Sequence, residues 1–156
     1  MVPCRNVDFT LRENLNSLKN QRGVKYDIIA IVDSKNDPSL QIINEIGIKY
    51  IITDFDCKGC SGKVRALSTA LSRFKNYSLY VIADSDILPK NDWLEKLTSP
   101  FSTPEVGVST TFPYFKAMGG FWSKVKTLWG FVGQGMMESD LTRFGWGGHL
   151  PLKKNS

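Results

Sequence analysis

Ser78-Leu79-Tyr80-Val81-Ile82-Ala83-Asp84-Ser85-Asp86 decides how this chain is read. Residues 78–83 form an apolar run of strand length that stops abruptly on two carboxylates one residue apart. A continuous apolar strand suits a sheet covered on both faces. Ending it on aspartate is costly unless the carboxylate meets a ligand, a metal or a helix N-terminus. Residues 26–33 repeat the form, an apolar stretch that closes on Asp33. A cap could explain either aspartate alone; the repetition favours a site.

Outward from these two strands the elements alternate. Thr10-Leu11-Arg12-Glu13 reads as a capping box, Leu11, Leu15 and Leu18 then share one helical face, and Gly23 ends the run. Asp37-Pro38 reads as an N-cap with proline in the first helical position, followed by Ile42, Ile43 and Ile46 and stopped by Gly47. Residues 48–52 form a third expected strand. A polar loop over 54–62 leads to a helix with Val64, Leu67, Leu71 and Phe74 on one side. Asn91 caps a brief helix carrying Trp93, Leu94 and Leu97, and residues 106–112 are expected to add a fifth strand. Such alternation predicts an α/β fold, a mostly parallel sheet with helices on both faces. Sheets of that kind bind ligands outside the carboxyl ends of their strands.

The bulk properties narrow the partners. A chain of 156 residues is expected to be one domain with its own core, and 42% hydrophobic with 22% charged residues excludes a disordered chain. The net charge of +5 favours an anionic partner, a nucleotide diphosphate or an anionic lipid surface. Lys and Arg are scattered singly, which argues against nucleic acid. With no stretch of membrane-spanning length and no signal-peptide pattern, the expected place is the cytoplasm or the cytoplasmic face of a membrane. Cys57-Lys58-Gly59-Cys60 has the spacing of zinc and redox sites, yet only Cys4 and His149 remain as further Cys or His candidates, so two thiols in a loop are expected.

Asp84-Ser85-Asp86 carries the chemistry. Two carboxylates on a turn after a strand can present oxygens to Mg²⁺ or Mn²⁺. Such an ion bridges phosphates and neutralises charge developing on a diphosphate leaving group. The succession Val2-Pro3-Cys4-Arg5-Asn6, Ile31-Val32-Asp33-Ser34, Gly62-Lys63-Val64-Arg65-Ala66-Leu67 and Ala83-Asp84-Ser85-Asp86 resembles the family 2 inverting glycosyltransferases. Ala83 to Ile87 with Asp92-Trp93-Leu94 is most similar to the ceramide glucosyltransferase-like branch. The resemblance is specific from residue 2 to about 93. It is looser over 106–150, where Gly145-Trp146-Gly147-Gly148 is similar to a glycine-rich acceptor-side segment.

That resemblance implies a GT-A fold, incomplete at both ends, with a donor half over about 1–100 and an acceptor-side part over about 101–156. It implies Asp33 at the nucleobase, Pro3 in the strand lining the nucleotide pocket, Asp84 near ribose or metal-bound water, and Asp86 on the metal. Lys63 matches a basic position near the diphosphate; a solvated lysine at a helix start is the alternative. Arg65 reads equally as a phosphate ligand or a surface residue. The implied activity is metal-dependent, inverting transfer of a sugar from a nucleotide sugar, a UDP-sugar in this expectation, to a lipid hydroxyl. The family's later general base has no counterpart after Gly148. Glu138 and Asp140 precede the glycine-rich segment, so an N-terminal piece of a longer enzyme is expected.

Phe121, Trp122, Val125, Leu128, Trp129, Val132, Met136 and Met137 follow near-helical spacing, with Lys124 and Lys126 off the stripe. A peripheral membrane contact through 121–137 and a core-packing or subunit-facing helix are both open. Two rival functions stand beside transfer: a donor-binding module without catalysis, and nucleotidyl transfer. The latter wants a glycine-rich phosphate loop after the first strand, and Pro3-Cys4-Arg5-Asn6 has no glycine.

Overall fold

A computed structural model describes residues 1–117, 119–142, 144 and 149–153. Three strands, β1 (Val2–Cys4), β2 (Ile29–Val32) and β3 (Lys49–Ile52), form a parallel sheet in that order, with Pro3 opposite Ile31 and Ile31 opposite Ile51. A fourth, β4 (Leu79–Ala83), pairs antiparallel with β5 (His149–Lys153). Two hydrogen bonds join the ladders: Ala83 donates its N–H to the Met1 carbonyl at 3.0 Å, and the Met1 amine donates to the Val81 carbonyl at 2.8 Å. Their pattern is that of parallel neighbours. The order across the described residues is therefore β3, β2, β1, β4, β5, and the direction of winding reverses between β1 and β4.

Helices cover both faces. The helices α1 (Leu11–Lys19) and α2 (Ser39–Ile46) bury Leu11, Leu15, Leu18 and Ile43 against Val2, Cys4, Ala30 and Val32. On the opposite face α3 (Gly62–Arg73) lays Ala66 and Ala70 on Ile31. All four residues of β2 are buried, which explains its unbroken apolar sequence. Gly47 stops α2 as expected, in the left-handed conformation at φ +73°, and Ile48 N–H reaches back to the Ile43 carbonyl. A short helix α4 (Trp93–Thr98) buries Leu94 and Leu97, and α5 (Phe121–Glu138) follows.

Several local expectations need correction. Thr10 makes no capping bond; its hydroxyl donates to the Asp8 carboxylate and accepts from Asn14 Nδ2, because its own backbone is already helical. The strand expected over 26–33 is only Ile29–Val32, since Tyr26 hands its hydroxyl to the Leu18 carbonyl at the end of α1. On α3 the buried face is Ala66, Thr69 and Ala70, while Val64 and Leu71 are exposed. Residues 106–112 form no strand beyond a single bridge at Val108. The place beside β4 belongs to β5, and Thr111 Oγ1 instead accepts from Trp93 Nε1 at 3.3 Å. Cys57 and Cys60 are bonded to each other rather than standing as two thiols. Gly145-Trp146-Gly147-Gly148 lies outside the described residues.

Candidate functional site

Where the winding reverses, the carboxyl ends of β1, β2 and β4 face a common edge, and the sequence supplies each end with a charged residue. Asp33 is the first residue past β2 and is exposed, directly after the buried Val32. Arg5 is the first past β1, and its Nε lies 3.6 Å from Asp33 Oδ2. This pair is solvated, with side chains 75% and 37% exposed, so it contributes little to stability and leaves both groups open to a ligand. Asn6 turns the chain away at φ +61°, a conformation asparagine tolerates.

The start of α3 completes the edge. The Ser61 hydroxyl accepts from Val64 N–H, so the helix begins at Gly62. A Cβ on Gly62 would sit 3.7 Å from Asp33 Oδ2, which places the helix N-terminus at that carboxylate. Lys63 Nζ lies 2.5 Å from Asp84 Oδ1. A cation in a first helical turn opposes the helix dipole, and Asp84 offsets that cost. Arg5, Asp33, Gly62, Lys63 and Asp84 thus join the ends of β1, β2 and β4 to one helix start. Asp86 stands exposed two residues after Asp84, and Pro3 sits half-buried inside β1. Arg65 turns to its own loop, donating from Nε to the Phe55 carbonyl at 3.3 Å.

Residues without a role in the sequence reading hold this edge in place. Buried Asn14 donates to the Ser85 carbonyl at 3.1 Å, fixing the middle of the Asp84–Asp86 turn. One turn on, Ser17 donates to the Pro89 carbonyl, and Gln21 Nε2 donates to the Lys90 carbonyl at 2.9 Å. Asp37 accepts from Asn6 N–H at 3.2 Å and Ser39 N–H at 2.9 Å. Burial pushes the Asp37 carboxyl up, but hydrogen bonds from Ser39 and Asn6 and the charge of Arg5 outweigh it and hold it below the usual range. The signal for Asn14 was legible: an amide on the same helical face as Leu11, Leu15 and Leu18 must find a partner.

Asp84 and Asp86 are hard oxygen donors, and among the described residues no cluster of three His, Cys, Asp or Glu forms a cage. Two carboxylates fit a cation that takes its remaining ligands from phosphate and water, which is how Mg²⁺ is usually held. A cavity of about 480 Å³ lies elsewhere, toward the amino ends of β1 and β4 among Met1, Tyr26, Asp27 and Tyr77.

A profile described as Glycosyl transferase family 2 matches residues 1–154. Glucosyl-3-phosphoglycerate synthase from Mycobacterium tuberculosis, in complex with uridine-diphosphate, superposes with a TM-score of 0.66 at 17% identity, covering 97% of this chain and 55% of that one. The same enzyme with Mn²⁺, UDP-glucose and phosphoglyceric acid gives 0.65 at 18% identity, covering 97% and 54%. A mannosyltransferase from Pyrobaculum calidifontis in complex with GDP-Man and Mn²⁺ gives 0.67 at 16% identity, covering 97% and 43%. The chain spans about half the length of these structures, and at such identities the likeness establishes the fold, the GT-A type. No curated protein sequence matches the chain.

Proposed function

The chain belongs to glycosyl transferase family 2, and from that membership we propose that the edge joining Arg5, Asp33, Lys63, Asp84 and Asp86 is the donor site of a nucleotide-sugar glycosyltransferase. The observation that carries this is the convergence of charged strand ends and one helix start where the sheet reverses its winding. Asp33 accepts hydrogen bonds from the nucleobase, with Pro3 lining the same pocket. Arg5 is drawn from Asp33 toward the incoming anion. Lys63 leaves Asp84 to meet the diphosphate, where a cation and a helix N-terminus act in the same sense. Asp86, aided by Asp84, would hold Mg²⁺ or Mn²⁺, which supplies neutralising charge to the leaving diphosphate.

The finer expectations are carried as proposals. The donor half spans about 1–100 and the acceptor-side part about 101–156. Transfer proceeds with inversion through an oxocarbenium-like transition state. The general base comes from sequence after Ser156, in keeping with the chain spanning about half the length of the structures it matches. The acceptor is a lipid, in line with the ceramide glucosyltransferase-like motifs, and α5 lies against the membrane's cytoplasmic face. Two features support that placement. The helix exposes Phe121, Trp122, Leu128, Trp129, Val132 and Met136, packing instead through Gly130 on Phe115. Residues 106–137 contain Lys116, Lys124 and Lys126 and no acid. No described helix is long and apolar enough to cross a membrane.

The test is ligand-induced stabilisation. UDP should raise Tm in the presence of Mg²⁺ or Mn²⁺ and barely at all in EDTA, since binding to the folded state alone stabilises by mass action. An equal rise in both conditions would remove the cation from the reading, and no rise in either would remove the donor site.

A further inference from the structure

The disulfide between Cys57 and Cys60 lies in the loop from β3 to α3, and its place bears on the edge described above. Its Cα atoms are 5.6 Å apart, with Gly59 turning between them at φ +84°. Ser61, which caps α3, follows Cys60 directly; Gly62 abuts Asp33 and Lys63 meets Asp84. The upstream end of the loop is anchored separately, where Asp54 and Phe55 N–H groups donate to Thr69 Oγ1 at 3.2 and 3.1 Å and Arg73 pairs with Asp54. The bridge therefore restrains the stretch between that anchor and the helix start. Both cysteines are half-buried at the surface, within reach of a thiol reagent.

We propose that Cys57–Cys60 is a reversible thiol–disulfide site that sets donor affinity through the start of α3; this rests on the donor site proposed above. The reactant is a dithiol. Its thiolate attacks one sulfur of the pair, the S–S bond breaks, and the departing thiolate takes up a proton. The second thiol resolves the mixed disulfide, so the pair gains two electrons and two protons and the reagent leaves as its own disulfide. The reduced loop gains conformational freedom, and Ser61–Lys63 must be ordered anew whenever the diphosphate binds.

Alkylation and UDP binding read the two halves of the idea. Cys4 is a built-in blank, because burial and then the Asp37 charge push its thiol up to about 12, so native labelling counts only the pair. Air-oxidised protein should take no label, and protein reduced with dithiothreitol and desalted anaerobically should take two. Calorimetry with UDP and Mg²⁺ should then show affinity about three- to twentyfold weaker in the reduced form, the range open to so short a loop, and restored on reoxidation. The Cys57→Ser/Cys60→Ser double variant should bind like the reduced protein and ignore dithiothreitol. If that variant does not fold, the wild-type reduction and reoxidation cycle gives the same reading. Two labels on oxidised protein, or equal UDP affinity in both states, would overturn the proposal while leaving the donor site standing. UDP binding in neither state would overturn both.

Discussion

At the scale of single residues, Asp86 and Asn14 separate binding from support. Asp86→Asn should abolish most of the Mg²⁺-dependent rise in Tm that UDP gives. Asp92→Asn should preserve it, because Asp92 is engaged by Lys96 on α4. Thermal shift on both variants, with and without EDTA, checks this. Asn14→Leu removes the donor to Ser85 and leaves that carbonyl unpaired, a cost of about 1–3 kcal/mol in urea unfolding. It should also weaken UDP binding, since the turn between the two carboxylates loses its tether. The aspartates were legible in the sequence because each ends an apolar run. Arg5 was not assigned a role, because its contact with Asp33 crosses from one strand end to the next and leaves no local trace.

Among the elements, α3 shows where hydrophobicity misleads. Its larger apolar residues suggested a face of Val64, Leu67, Leu71 and Phe74, but the sheet takes Ala66, Thr69 and Ala70. Small side chains bring the helix close to Ile31, and the strand supplies the bulk. Ala70→Leu should therefore cost about 1–3 kcal/mol by overpacking, whereas Val64→Ala at the exposed face should stay within about 0.5 kcal/mol, both read from urea midpoints. The last strand escaped reading for another reason. Pro151 at its centre argues against a strand, yet β5 is outermost among the described strands, where a missing N–H is tolerated. The near-helical spacing of α5 was legible, but which side it buries was not, because Gly130 and Gly133 against Phe112 and Phe115 decide it. The Trp122→Ser/Trp129→Ser double variant should bind phosphatidylserine vesicles at least about tenfold more weakly in cosedimentation, with UDP binding unchanged. Equal vesicle binding would take α5 off the membrane.

For the whole molecule, the alternation of strands and helices was enough to give the sheet and its two covered faces, but not the join at Met1, which depends on the chain's first residue acting as sheet. That join has a pH signature. Burial lowers the Met1 amine from 8.0 to about 6, partly offset by Cys4. Below pH 6 the amine is protonated in both states and the fold bears the full penalty. Between 6 and 8 the unfolded chain holds more protons, so stability should climb with pH by about 2–3 kcal/mol and level off above 8. Urea unfolding at pH 6 and 8.5 should show that climb in the free chain and lose it after N-terminal acetylation. The pairing of Leu79 with Lys153 sets a different clock. The strand bearing Asp84 meets its antiparallel neighbour only when residues some seventy positions later have been made, so this half of the sheet has high contact order and closes late. On the ribosome β1, β2 and β3 can pair early, while β4 waits with one flank open until the end of the chain emerges, and a nascent chain stalled before residue 149 should be the form that a chaperone holds or that aggregates.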